Sequence, residues 1–172
     1  NFSTDLHLLG GDGNDLLQGG AGGDLVEGGD GDDSPSGGGG VDTLDGGVGT
    51  DMLVETADAD FNLTDSQSAV SGQPVDTLLS IELAALTGGA GDNTFDATGF
   101  SGSVTLNGEA GDDLFFGSAG DDVFDGGLGT DRVEQTTGQG QRLNNSQVEV
   151  GAWVFDTNVS TWTFTATSSD DF

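Results

Sequence analysis

Glycine and aspartate recur in this chain on a nine-residue beat. From Gly10 the blocks are GGDGNDLLQ, GGAGGDLVE, GGDGDDSPS, GGGGVDTLD and GGVGTDMLV, which end at Val54. Glycine holds positions one, two and four in all five blocks, and aspartate holds position six. Position eight is Leu17, Val26, Pro35, Leu44 and Leu53. The frame returns as GGAGDNTFD over 88–96, decays through 97–107, and resumes as GEAGDDLFF, GSAGDDVFD and GGLGTDRVE over 108–134. Glycine-rich acidic chains ordinarily lack the apolar surface to fold. An apolar residue held to a fixed beat is the mark of a repeated structural unit instead.

Each position has a physical reading. Glycine tolerates positive φ and close backbone approach, so G-G-x-G reads as a tight turn with exposed carbonyls. Positions seven to nine read as a short strand whose middle residue faces inward. Two units then make an 18-residue coil with two strands and two turns, and stacked coils bury one thin apolar stripe. Carbonyls followed by a carboxylate are hard oxygen ligands, suited to Ca²⁺ rather than Zn²⁺. The candidate ligands are the sixth-position side chains Asp15, Asp24, Asp33, Asp42, Asp51, Asn93, Asp113, Asp122 and Asp131. With them go the turn glycines at positions two and four of the first block, Gly11, Gly13, Gly20, Gly22, Gly29, Gly31, Gly38, Gly40, Gly47 and Gly49. In the second block they are Gly89, Gly91, Gly111, Gly120, Gly127 and Gly129.

Charge supports the same chemistry. There are 31 acidic residues against two basic ones, Arg132 and Arg142, and the formal net charge is −29. A phosphate-binding surface needs Lys and Arg, so nucleic acid is excluded as a natural partner. Anionic membrane surfaces are disfavoured for the same reason, and no apolar run approaches the ~18 residues of a membrane span. Self-repulsion of this size opposes any compact state unless cations neutralise it. The chain has no cysteine, hence neither disulfides nor thiolate metal ligands. It opens on Asn1 rather than Met, which reads as a processed or excerpted chain.

In this tandem the nonapeptide resembles the RTX (hemolysin-type calcium-binding repeat) family over 10–54 and 88–134. The resemblance implies an all-β fold, a right-handed parallel β-roll or β-solenoid, with calcium-dependent folding and export by a type I secretion route. SSDDF at the C-terminus faintly resembles an RTX secretion signal. Same-side neighbours two repeats apart pair Asp15 with Asp33, Asp33 with Asp51, Asp24 with Asp42, Asn93 with Asp113, and Asp113 with Asp131. That makes about five enclosed Ca²⁺ sites. Three departures carry expectations. Pro35 cannot donate to a ladder, so its strand should be loosened. Asn93 should make a weaker site. Glu109 and Ser118, in place of the second glycine, should suit the turn less well.

Residues 46–70 and 126–150 align without gaps at an offset of 80, with matches at Thr50/Thr130, Leu63/Leu143, Ser66/Ser146 and Gln67/Gln147. This looks like the tandem modules of very large RTX-type surface proteins. Four segments follow: a β-roll over 1–54, a non-glycine solenoid segment over 55–87, a second calcium-binding block over 88–134, and a C-terminal β segment over 135–172. In 55–87 the run Leu78, Leu79, Ile81, Leu83, Leu86 reads as strands, with a short helix at 78–86 as the alternative. The tail WVFDTNVSTWTFTA (153–166) reads as an aromatic β-hairpin around Asp156–Ser160, either a cap on the solenoid or an adhesive end.

No catalytic constellation stands out from the repeat. The acidic pairs Asp112/Asp113 and Asp121/Asp122 obey the frame, whereas a catalytic site should break it. His7 is the only histidine and reads as a surface residue. No phosphate loop is present. Positions three and five are too irregular for a flat ice-binding row. The expectation is a non-enzymatic, calcium-binding structural or adhesive module, extracellular, secreted or at the cell surface. Its partners would be calcium, other surface proteins, or further copies of itself head to tail in a fibre or surface layer. The alternatives are the calcium-dependent secretion and folding domain of an exported enzyme, and glycan binding through Trp153 and Trp162.

Overall fold

The computed structural model describes residues 4–134 and, beyond them, the backbone at 141–145, 152–155 and 162–166. The described residues form strands and turns with no α-helix, so the run at 78–86 is not helical.

The first block folds into six strands, β1 (His7–Asp12), β2 (Leu16–Ala21), β3 (Leu25–Asp30), β4 (Ser34–Gly39), β5 (Thr43–Val48) and β6 (Met52–Thr56). Odd strands stack on one face and even strands on the other. Parallel registers Leu8↔Val26, Val26↔Leu44 and Leu17↔Pro35 each advance by one 18-residue coil. The strands are longer than positions seven to nine. β2 runs on through Gly19, Gly20 and Ala21, so glycines one and two of the next repeat belong to the strand and only positions four to six turn the chain. The reason is that the ladder to the next coil continues past the bend, with Gly11↔Gly29 and Asp12↔Asp30 in register.

The non-glycine segment contributes β7 (Phe61–Thr64), β8 (Gln67–Val70), β9 (Val75–Leu79) and β10 (Leu83–Thr87). β7, β8 and β9 are joined antiparallel. β9 lies parallel to β5 with Leu44↔Leu78, and β10 lies parallel to β6 with Leu53↔Ala84. Then come β11 (Thr94–Gly99), β12 (Ser103–Asn107), β13 (Leu114–Phe116), β14 (Asp122–Asp125) and β15 (Thr130–Val133). The two residues added in 97–107 stretch one coil to 20, as in Thr94↔Leu114, after which the 18-residue step resumes. The tail supplies β16 (Gln141–Asn145), β17 (Ala152–Phe155) and β18 (Trp162–Ala166).

The first face is a ten-stranded sheet, β1-β3-β5-β9-β8-β7-β11-β13-β15-β17. The second carries β6-β10-β12-β14-β16-β18, and β2-β4 form a separate pair beside it. The break between β4 and β6 falls at Pro35. Met52 N–H still reaches Asp33 O at 2.9 Å, but the neighbouring rung needs an N–H that proline lacks. Pro35 is nevertheless buried on the apolar beat. The described strands do not pair as the expected C-terminal hairpin. β17 pairs with β15 and β18 with β16, each in parallel and on opposite faces. A coil that still has a free edge on each face offers both strands a parallel partner, and the solenoid continues. The segment 156–161 between them lies outside the described residues. The two segments aligned at an offset of 80 also part company, since Asp51 precedes β6 on the second face and Asp131 lies in β15 on the first.

The core is the inward stripe Val26, Leu44, Leu53, Leu78, Leu106 and Val133, all at most 1% exposed. In the second block it becomes aromatic. Phe61, Phe95 and Phe115 stack face to face at 5.1 and 5.0 Å, and Phe124 meets Phe115 edge-on from the opposite face at 5.9 Å. One-coil spacing of about 4.8 Å is the natural distance for offset ring stacking.

Candidate metal centres

The sixth-position side chains point inward with the apolar residues. Asp24, Asp33, Asp42, Asp51, Asn93, Asp113, Asp122 and Asp131 are all at most 4% exposed, and Asp15 is half-buried. Buried carboxylates demand partners, and the coil-to-coil stacking supplies them in a regular way. Oδ1 accepts the N–H of the residue one coil earlier at the same position: Asp15 to Asp33 at 2.8 Å, Asp33 to Asp51 at 2.7 Å, Asp24 to Asp42 at 2.7 Å. The second block repeats this, Asn93 to Asp113 at 2.8 Å and Asp113 to Asp131 at 3.1 Å. Asp122 is on the second face, where it accepts from Val104 N–H at 3.2 Å.

The ladder continues into the non-glycine segment through two residues that the nonapeptide frame misses. Asp76 Oδ1 accepts from Asp42 N–H at 2.8 Å, and Glu82 Oε2 from Asp51 N–H at 3.0 Å. The signal for Asp76 was in the chain, since Val75-Asp76-Thr77-Leu78 repeats Val41-Asp42-Thr43-Leu44. Asp58 is a third addition. It lies over the 88–93 turn, accepting from Gly91 N–H at 3.0 Å and from Asn93 Nδ2 at 3.3 Å.

What remains unmet is the second carboxylate oxygen. Oδ2 of Asp15, Asp33, Asp42, Asp51, Asp113 and Asp131 is buried without a hydrogen-bond partner. Oδ2 of Asp33 is tucked beside Gly28 Cα, where a methyl would also collide with the carbonyl of Gly46 one coil on. Burial therefore holds Asp113 at about 6, with the charges of Asp131 and Asp92 adding to it. Asp42, Asp51 and Asp131 are raised by the same desolvation and by neighbouring carboxylates. Asp76 is held at about 6 and Glu55 at about 7, again chiefly by burial. Among the described side chains the one basic residue, Arg132, pairs with Glu134 on the surface.

The turn glycines serve close approach. Gly29 (φ 117°) and Gly31 (φ 139°) are left-handed, and a methyl on either would overlap the carbonyl oxygen of Gly11 or Gly13 in the coil before. Superposed turns thus bring carbonyls and carboxylates of successive coils together. Glu109 adopts φ 71° without being glycine, and Ser118 bonds Asp122 through its own hydroxyl.

The residues present fit calcium. The available donors are all oxygen, six of them are buried and unpaired, and their charge is uncompensated. Among the described residues no three acidic side chains converge on one point, so a calcium shell would draw on turn carbonyls as well as on sixth-position carboxylates. Bound there, the ion would supply the positive charge and the coordination that the carboxylates lack. A family model for the RTX calcium-binding nonapeptide repeat (4 copies) matches residues 7–35, 36–53 and 98–133. No curated protein matches the sequence. Fold, orphaned carboxylates and matched repeats agree that this chain is a calcium-binding β-roll built of RTX calcium-binding nonapeptide repeats.

Proposed function

We propose that the chain is a structural or adhesive module that folds when it meets calcium outside the cell, and that it has no catalytic role of its own. The observation that carries this reading is the set of buried Oδ2 atoms without partners. A fold that buries like charges in register opposes itself until a cation arrives, so calcium binding is coupled to folding. Each site stabilises the folded state by about 2.7 kcal/mol at a hundredfold excess of ion over Kd. Extracellular modules work at roughly 0.1–1 mM calcium affinity, which would keep the chain unfolded where calcium is scarce and rigid where it is abundant.

Head-to-tail assembly is the finer part of the proposal. Among the described residues β1 lies at one edge of the first face, and β2 pairs with β4 alone. Their inward residues Leu8 and Leu17 are only partly buried against the core. Another copy stacked on this end would bury both and extend the ladder. Sedimentation velocity in EGTA and in a few millimolar calcium tests both parts. An expanded monomer that becomes compact supports the calcium-folded module. Larger species that appear only with calcium support assembly. A compact monomer in EGTA, unchanged by calcium, refutes the proposal.

A further inference from the structure

The nine glycine turns are of two kinds, and two features sort them identically. The first is the second oxygen of the sixth residue. In six turns, those of Asp15, Asp33, Asp42, Asp51, Asp113 and Asp131, it is buried and unpartnered. Five of these six side chains are at least 99% buried. In the other three the turn closes on itself. Gly20 N–H donates to Asp24 Oδ2 at 2.7 Å, Gly89 N–H to Asn93 Oδ1 at 2.9 Å, and Ser118 N–H to Asp122 Oδ2 at 2.9 Å.

The second feature is the backbone. In the six open turns position two is left-handed at Gly11, Gly29, Gly38, Gly47, Glu109 and Gly127. Position four is left-handed too, at Gly13, Gly31, Gly40, Gly49, Gly111 and Gly129. In the closed turns neither position is left-handed. The two features are linked by geometry. A left-handed second residue turns its amide away from the carboxylate, and an ordinary one points the amide at it.

The closed turns differ in their stacking too. Asp24 stacks on Leu6 and Asp122 on Val104, neither of which carries a carboxylate. Asn93 is neutral, and its amide is spent on Gly89 and Asp58. We propose that calcium occupies only the six open turns, and that the turns of Asp24, Asn93 and Asp122 are metal-free rungs closed by their own backbone. This rests on the calcium reading above and makes occupancy along the solenoid uneven. It also explains Ser118, since a closed turn has no need of a left-handed second residue.

Crystals grown in calcium, with an anomalous difference map recorded for that element, test the proposal without any substitution. The expected result is a peak within about 2.3–2.6 Å of Oδ2 in each open turn, and none bonded to Asp24, Asn93 or Asp122. Equilibrium dialysis of calcium against variants gives a second readout. Asp24→Asn and Asp122→Asn should bind as many ions as the unsubstituted chain, and Asp33→Asn about one fewer. A peak on Asp24 or Asp122, or loss of an ion in Asp24→Asn equal to that in Asp33→Asn, overturns the inference while leaving calcium binding intact. A map with no calcium at all overturns both.

Discussion

Protons and calcium should compete for the buried carboxylates of Asp42, Asp51, Asp113 and Asp131, and stability should therefore depend on pH with opposite sign in the two metal states. In the calcium-free fold, burial raises Asp76 and Asp113 to about 6 and Glu55 to about 7, from ordinary values of 3.8 and 4.5. A carboxyl raised on folding binds its proton more tightly in the folded state. Its contribution is thus fully present below the unfolded value and is lost as pH rises through the folded one. The window is pH 4 to 7. Each proton held only by the folded state is worth about 1.4 kcal/mol per pH unit. These three groups differ by two to three protons near pH 5, an upper bound of about 3–4 kcal/mol per pH unit, and about half that once partial solvent contact is allowed for. With calcium the sign reverses, because a ligand carboxylate must be deprotonated. The assay is urea unfolding followed by far-UV circular dichroism at pH 4.5, 5.5, 6.5 and 7.5, in metal-free buffer and in 5 mM calcium, roughly the upper working range of such sites. Without the metal stability should fall with pH until no folded state is left at pH 7.5, and with the metal it should rise. A metal-free fold that gains stability from pH 4.5 to 7 would refute the reasoning.

Other expectations follow from single residues. Gly31→Ala places a methyl against the carbonyl of Gly13 at φ 139°, whereas Gly39→Ala meets nothing within 4 Å; the first should cost about 1–3 kcal/mol and the second almost nothing, in denaturant titrations at saturating calcium. Phe95→Ala removes a fully buried ring stacked between Phe61 and Phe115, and should cost about 3–5 kcal/mol in the same assay. Pro35→Val returns an N–H where β4 and β6 are unjoined. It should raise stability by up to about 1 kcal/mol, and a lower denaturation midpoint would count against the broken rung.

Much of the site was legible because glycine and aspartate are tied to one backbone geometry. Only a residue without Cβ fits where Gly29 and Gly31 overlie the previous coil, so the frame showed in the letters themselves. The apolar beat was legible for a similar reason, since the stripe has no room for polar residues at Val26, Leu44 or Leu53. The 55–87 segment was harder. Its antiparallel β7-β8-β9 meander has no glycine frame, and pairing direction is not encoded in short apolar runs. Asp76 and Glu82 were hidden because their role comes from stacking on Asp42 and Asp51, which is a property of the next coil and not of their own neighbours. The pairing of the C-terminal strands was hidden for a related reason. Trp153–Phe155 and Trp162–Phe164 look like two arms of a hairpin locally, yet each has a parallel partner waiting on its own face.

The central claim is that calcium completes the buried carboxylate ladder and thereby holds the fold. Far-UV circular dichroism of the chain at pH 7.5, begun in EGTA and titrated with calcium, tests it most directly. The account predicts a disordered spectrum that converts to β-sheet as calcium is added and returns on chelation. A β-sheet spectrum already complete in EGTA and indifferent to calcium would contradict it.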